Sequence, residues 1–354
     1  MRLINEKKKS KFNKNKTKTI YINYFKVLTL LLLTIVYIKF YFIKFPNKKV
    51  KFIYTGQNKT IIKQEFQEFK KDYQYFCCFC AMGKKENLYS RELISYYKSL
   101  GVEKFVFGDN NDPNTEKLSD VLQDYINDGT VDILEIYGST IGQGEFYGIM
   151  YEKYKKRCKW LTFFDFDEYL VMHFNKEKNL TLNEFLNNSI YDKCDAIEIN
   201  WLMHGDNNLV YYDNRTLVER FTKPNFNNYG NRFVKSIIRG NINQVVFKPG
   251  ATHHQPSLNL KLCDSMGKPA SYYPDCIIPP QFDYAYLMHF NTKTAEEYVN
   301  KLLRGHPSGF HFDNEMVEKK IDSFFNDNEF NLEKLKIFEE KFNRTFHKYH
   351  NRKY

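Results

Sequence analysis

The stretch Trp160-Leu-Thr-Phe-Phe-Asp165-Phe-Asp167-Glu168-Tyr-Leu-Val171 joins an apolar run to two carboxylates one residue apart. In a strand, side chains alternate between faces, so Asp165 and Asp167 would share one side. Two converged carboxylates form a hard oxygen site suited to Mn²⁺ or Mg²⁺. A metal held by so few protein ligands keeps positions open for phosphate oxygens. It then stabilises the charge that grows on a departing diphosphate. The plainer reading is that acids cluster at strand ends as solvated turn residues. Position favours the chemical one, because this pair closes a fourth strand in a strand–helix series.

That series starts at Tyr75-Phe-Cys-Cys-Phe-Cys-Ala81, a continuous apolar run expected as a buried strand. Over Glu86–Leu100, Tyr89, Leu93, Tyr96, Tyr97 and Leu100 fall on one helical face, and Gly101 supplies a left-handed stop. A second strand, Lys104–Phe107, ends at Gly108-Asp109-Asn-Asn-Asp-Pro113. Leu118, Val121, Leu122, Tyr125 and Ile126 stripe a second helix closed by Gly129. Val131–Ile136 is a third strand, Phe146, Ile149, Met150 and Tyr154 stripe a third helix, and Trp160–Phe166 is the fourth strand. Helix returns over 294–304 and 314–342. Alternation of this kind implies an α/β fold with a mostly parallel sheet. Ligands then bind at the carboxyl ends of the strands, where the Asp109 and Asp165–Glu168 loops both fall.

The formal charge of +11 over 354 residues invites a nucleic-acid reading, which its distribution removes. Residues 1–51 hold 14 of the 53 Lys and Arg and one acid, Glu6, leaving 39 basic against 41 acidic side chains in the body. A near-neutral body offers no electrostatic footprint for a phosphate backbone, so no nucleic-acid partner is expected. The basic residues precede an apolar stretch at 20–43 whose unbroken core is Val27–Ile38, flanked by Lys26 and Lys39. With both lysines snorkelling, it reads as a single-pass anchor with the N-terminus in the cytoplasm. The expected organisation is a basic tail at 1–19, a transmembrane signal anchor at 20–43, a stem at 44–72, a catalytic domain at 73–310 and a helical segment at 311–354.

Five N-x-S/T sequons follow the anchor, at Asn58, Asn179, Asn187, Asn214 and Asn343, and permit a secretory lumen. Seven cysteines lie in the body. Cys77, Cys78 and Cys80 are expected as small core thiols, and Cys263 with Cys276 is a candidate disulfide.

Several segments together resemble glycosyltransferase family 92 and its family-2-like relatives. In order, they are Lys85-Glu-Asn-Leu-Tyr-Ser-Arg-Glu92, Tyr96-Tyr-Lys-Ser-Leu-Gly-Val-Glu103, Asp109-Asn-Asn111, Trp160–Leu170 and Ile199-Asn-Trp-Leu-Met-His-Gly205. Val218-Glu-Arg-Phe221, Val234-Lys-Ser-Ile-Ile238, His289-Phe290, Lys293-Thr-Ala-Glu-Glu-Tyr298 and Arg304-Gly305 follow. The resemblance spans roughly 75–305. It implies the A-type glycosyltransferase fold, Rossmann-like, and an inverting transfer of a hexose, galactose among the candidates, from a UDP-sugar donor to a glycan acceptor. Residue by residue, it implies Asp165 and Asp167 as metal ligands with His289 completing the shell. It also implies Glu86 and Asp109 in the nucleotide pocket and Lys235 near phosphate. The family's first loop usually carries Asn before the Glu, whereas this chain has Lys85-Glu86-Asn87.

Inversion needs a base on the acceptor hydroxyl. Asp206, expected beyond a fifth strand, is the candidate, with Glu198 and Glu219 as rivals; His204, His253 and His254 are further residues that could line the site. Mn²⁺ or Mg²⁺ is the expected cofactor, and the Golgi or another secretory compartment the expected address. Two other readings remain at this point. A haloacid-dehalogenase-type phosphatase would use Asp165 as nucleophile, but it wants Thr or Val where Tyr169 stands. An inactive carbohydrate-binding protein would keep the fold without turnover.

Overall fold

Strands buried on both faces must be apolar at nearly every position, and Tyr75–Gly83 meets that requirement. It forms β1, the middle of a parallel group. The computed structural model describes residues 73–136, 141–174, 179–243, 245, 247, 260–270, 276–277, 279–305 and 311–350. The expected tail, anchor and stem lie outside these residues, as do His253 and His254. No helix among the described residues is long and apolar enough to cross a membrane.

After β1 come α1 (Asn87–Ser99), β2 (Lys104–Asp109), α2 (Leu118–Val121), α3 (Gln123–Asn127), β3 (Val131–Glu135), α4 (Gln143–Tyr154) and β4 (Cys158–Phe163). β5 (Glu168–Met172), α5 (Leu182–Leu186), β6 (Ala196–Met203), α6 (Leu217–Arg220), β7 (Val234–Arg239), β8 (Leu262–Asp264) and β9 (Ala285–His289) follow. Four helices close the chain: α7 (Ala295–Leu303), α8 (Asn314–Asp327), α9 (Leu332–Phe342) and α10 (His347–His350). The strands order as β3-β2-β1-β4-β7-β6-β9-β5, with β8 beside β6.

The expected parallel sheet is only half of this. β3, β2, β1 and β4 run parallel. β7 then enters antiparallel to both β4 and β6, and β5 antiparallel to β9. β6 runs parallel to both β8 and β9, so this second half of the sheet is mixed. Gly101 and Gly129 do take left-handed φ values, +95° and +78°, and end α1 and α3 as expected. The expected helix around Leu118–Ile126 breaks at Leu122, whose φ of −121° is not helical. The helix expected over 314–342 breaks too, where Asn331 caps α9 through Lys334 N.

The fourth strand stops at Phe163, three residues short of expectation. Asp165, Phe166 and Asp167 therefore occupy a turn, and the strand alternation invoked for them does not apply. Asp165 N donates to Glu168 Oε2 at 2.9 Å, and Glu168 N to Asp165 O at 3.3 Å. Tyr97 of α1 pins the far side: its hydroxyl donates to Glu168 O at 2.8 Å and accepts from Leu170 N at 3.0 Å. Phe166 docks against Gly83, where an added Cβ would sit 2.8 Å from the ring.

The aromatic excess fills the core. Phe79 packs on Tyr97 at 4.4 Å and on Phe105 and Phe164 at 5.8 and 6.0 Å. α7, α8, α9 and α10 share an apolar cluster that includes Val299, Ile321, Phe324, Phe338 and Tyr349.

The cysteines differ from expectation. Disulfides join Cys78 to Cys158 and Cys194 to Cys263, with Cα separations of 5.9 and 5.8 Å. Cys276 stays a buried thiol, as do Cys77 and Cys80. The Cys78–Cys158 bridge ties β1 to β4 across a sequence separation of 80 residues. Replacing both by Ala should lower unfolding free energy by about 2–4 kcal/mol. Urea denaturation would check this, and an unchanged midpoint would show that the bridge adds nothing to stability.

Candidate functional site

The turn after β4, the loop after β1 and the β9–α7 connection meet at one end of the sheet. They enclose a cavity of about 270 Å³ whose walls include Glu86, Asp165, Asp167, Trp201, His289 and Lys301. A second cavity, of about 350 Å³, shares Glu86, Lys301 and Arg304 and adds Tyr89, Tyr212 and Lys293.

Asp165 is held through both oxygens. Oδ1 accepts from Gln143 Nε2 of α4 at 2.8 Å, and Oδ2 pairs with Lys235 Nζ at 2.6 Å. Both oxygens thus help to fix the turn. Lys235 is fully buried beneath Asp165 and also lies 3.4 Å from Glu168 Oε1. It anchors the acidic turn from below and is not part of either cavity wall. Burial pushes the Glu168 carboxyl well up, against the pull of Lys235.

Asp167 is buried and ringed by cations. Its Oδ2 lies 3.2 Å from Lys301 Nζ and 3.7 Å from Lys293 Nζ. Burial alone would raise its pKa; Lys301 and Lys293 more than reverse this, and the carboxylate sits far below its usual range. His289 Nε2 stands 3.7 Å from Asp167 Oδ1. Burial pushes the His289 imidazole down to about 3, so it is neutral and keeps a lone pair. Its ring lies 4.2 Å from that of Trp201.

Asp167 and His289 fit a divalent cation. At 3.7 Å they are too far apart for a hydrogen bond. They are within the ~4 Å that two ligands about 2 Å from one small ion can span. His289 Nδ1 is buried without a hydrogen-bond partner. Asp165 lines the same cavity, with its two oxygens engaged by Gln143 and Lys235. Among the described residues no group of three His, Cys, Asp or Glu surrounds a common point, so substrate oxygens would have to supply the rest.

Glu86 does reach the cleft. Its Oε1 accepts from Arg304 Nη1 at 2.5 Å, and Oε2 is 3.9 Å from Lys293. Lys85 takes a positive φ of 55°, and Asn87 turns away to Asn111 and Glu116. The altered Lys85-Glu86-Asn87 loop is thus locked by Asn111.

Asp109 is not brought to the cleft. Its two oxygens accept from Asn111 N at 2.9 Å and Leu118 N at 2.7 Å, closing the loop and starting α2. Asp206 is also elsewhere. It pairs with Lys334 of α9 at 2.6 Å and accepts from Asn208 N, in the wall of a different cavity. Of its rivals, Glu198 is buried against Ser236, and Glu219 caps α6 through Thr216. His204 bonds Phe221 O and borders a cavity on the opposite face of β6.

Sequence reasoning gave no role to Lys301, Lys293, Arg304 and Gln143. One signal was available: Lys301 and Arg304 stand one helical turn apart, so they emerge on the same face of α7. Lys301 is held over Asp167 by Asn291, whose Oδ1 and O accept at 2.6 and 3.0 Å.

Residues 150–248 match the model of glycosyltransferase family 92. Over those residues the match agrees with the family resemblance read from the sequence. No curated protein matches the chain. Among solved structures, the chain is similar to S. aureus TarS at 11% identity and a TM-score of 0.35, covering 71% of this chain and 43% of that one. It therefore spans less than half the length of that TarS chain. TarS 1–349 with UDP-GlcNAc matches at 11% identity and a TM-score of 0.38, covering 75% of this chain and 79% of that one. The complex of TarS 1–349 with UDP gives 13% identity and a TM-score of 0.35, with 76% and 71% covered. No residue role is taken from these distant likenesses.

Lys235→Met would leave Asp165 and Glu168 without their buried cation. The expected loss is about 3 kcal/mol of stability, and less of it in the Lys235→Met, Asp165→Asn double variant. Chemical denaturation of the single and double variants measures both, and equal losses would deny the coupling.

Proposed function

We propose that this chain is a metal-dependent, inverting glycosyltransferase that moves a hexose from a UDP-sugar to a glycan acceptor. One observation carries the reading. Asp167, His289, Lys301 and Arg304 converge on one cleft, where a carboxylate and a neutral imidazole face each other beside two fixed cations. Asp167 and His289 would hold Mn²⁺ or Mg²⁺, which when bound supplies positive charge against the diphosphate. The lysine and arginine serve the same end. Lys301, oriented by Asn291, and Arg304, oriented by Glu86, place positive charge where the leaving group gathers negative charge. Asp165 positions the turn through Gln143 and Lys235. Asp206 faces Lys334 rather than the cleft, so the reading does not depend on it as base. UDP-galactose is the first donor to test, on the strength of the family resemblance.

The proposed address is a secretory compartment such as the Golgi, with the apolar stretch at 20–43 as a single-pass anchor. Two disulfides support an oxidising lumen. The sequon asparagines Asn179, Asn187, Asn214 and Asn343 are all exposed, as acceptors of N-glycans must be.

Asp167→Asn should abolish UDP-sugar turnover while the protein stays folded by circular dichroism. A chelator should do the same to the native enzyme, and added Mn²⁺ should restore it. A fully active Asp167→Asn would remove the metal assignment. Lys301→Ala should lower kcat by roughly 10²-fold, the order seen when one transition-state donor is lost. Steady-state UDP release provides the measure, and an unaltered kcat would take Lys301 out of the mechanism.

A further inference from the structure

The second cavity, of about 350 Å³, adjoins the first, and Glu86, Lys301 and Arg304 stand in the walls of both. Asp167, His289 and Trp201 line the first alone. α7 gives the second a polar wall. Glu296, Asn300 and the capping Arg304 recur every four residues, so they share one side of the helix. Lys293, just before α7, lines the same cavity.

Three of these side chains keep hydrogen-bonding groups that the fold does not use. Lys293 is 4% exposed, yet its ammonium donates to no described residue. Its counter-ions, Asp167 Oδ2 and Glu86 Oε2, stand 3.7 and 3.9 Å away, beyond hydrogen-bonding range, and the Tyr89 ring lies at 4.3 Å. Lys293 also takes a φ of +53°, a left-handed value that costs a non-glycine residue free energy and gathers at ligand sites. Glu296 accepts from Tyr212 N through Oε2 at 2.9 Å, and no described residue engages its Oε1. The exposed Asn300 amide is likewise engaged by no described residue. Glu297, by contrast, is taken up by Arg220, Tyr89 and Thr294.

We propose that this cavity binds a neutral sugar of the acceptor, with Lys293, Glu296 and Asn300 holding its hydroxyls. The proposal rests on the glycosyltransferase reading and adds where the acceptor sits and what charge it carries. A hydroxyl both accepts and donates, so one sugar answers an ammonium, a carboxylate and an amide together. An anionic group fits less well, because an oxygen placed on Lys293 would also meet the charges of Asp167 and Glu86. An apolar ligand would leave the buried ammonium unsatisfied. The walls shared with the first cavity bring such a sugar beside Lys301 and Arg304, which face the donor's leaving group in the same reading.

The test uses the purified full chain with UDP-galactose, Mn²⁺ and free galactose, glucose, mannose or N-acetylglucosamine as acceptor, beside the 6-phosphates of the same sugars. UDP release without acceptor is followed in parallel, and calorimetry measures sugar binding to the UDP-saturated protein. At least one neutral sugar should accept or bind, and its 6-phosphate should do so no better. Glu296→Gln keeps the bond to Tyr212 N, and Asn300→Ala alters an exposed side chain, so both variants should fold. Together they should raise the acceptor's KM, or its Kd, by roughly tenfold, as expected for lost hydrogen bonds that include one to a charged group. Lys293→Met should raise the same constant. An acceptor constant unmoved by all three changes overturns the site. A donor KM that rises in step with Glu296→Gln and Asn300→Ala gives the cavity to the donor and overturns it too. So does a marked preference for the 6-phosphates, or donor hydrolysis in which no neutral sugar accepts or binds. Absence of any donor hydrolysis would instead sink the glycosyltransferase reading on which the site rests.

Discussion

The buried ammonium of Lys235 holds the site in place. It sits fully out of solvent between Asp165 and Glu168, carboxyls that would otherwise repel each other at the turn after β4. Charges so deep are tolerated only when paired, because the desolvation cost of an isolated ion is several kcal/mol. The pair therefore fixes where the turn can lie. Asp167, one residue from Asp165, is delivered to the cleft as a consequence. Tyr97 completes the constraint from the opposite side by bonding the backbone of Glu168 and Leu170.

Around that turn the molecule separates two electrostatic tasks. Lys235 satisfies Asp165 from below. Lys293, Lys301 and His289 face Asp167 at the cleft. Asp165 and Asp167 are thus paired with different cations. Arg304 and Glu86 make a similar pair across the mouth, linking α7 to the loop after β1. α7 belongs to the closing helices, so their apolar cluster bears on the cleft through Lys301 and Arg304.

The mixed half of the sheet, with β4–β7 and β5–β9 antiparallel and β6–β9 parallel, is what makes the cleft two-sided. β7 and β9 bring Lys235 and His289 to the same end as Asp165, although all three are far apart in the chain. Glu168 pairs directly with His289 across β5 and β9. β6 adds Trp201 beside that pair, through its register with Leu287.

The sequence by itself determined the β1–β4 core, with α1 and α4, because burial on two faces or on one stripe writes itself as a local period of apolar residues. It likewise marked Asp165 and Asp167, and through the family resemblance His289 and Glu86. Other features were decided only in three dimensions. Asp109 and Asp206 look as available as Asp167 in sequence, yet Leu118 N and Lys334 take up their oxygens. Lys235, expected near phosphate, is the most deeply buried cation at the site. Cys263 finds Cys194 rather than Cys276. Each outcome depends on a partner remote in the chain. A local pattern carries the free energy of burial, whereas the pairing of charges and thiols is settled only when the sheet closes and sets which side chains meet.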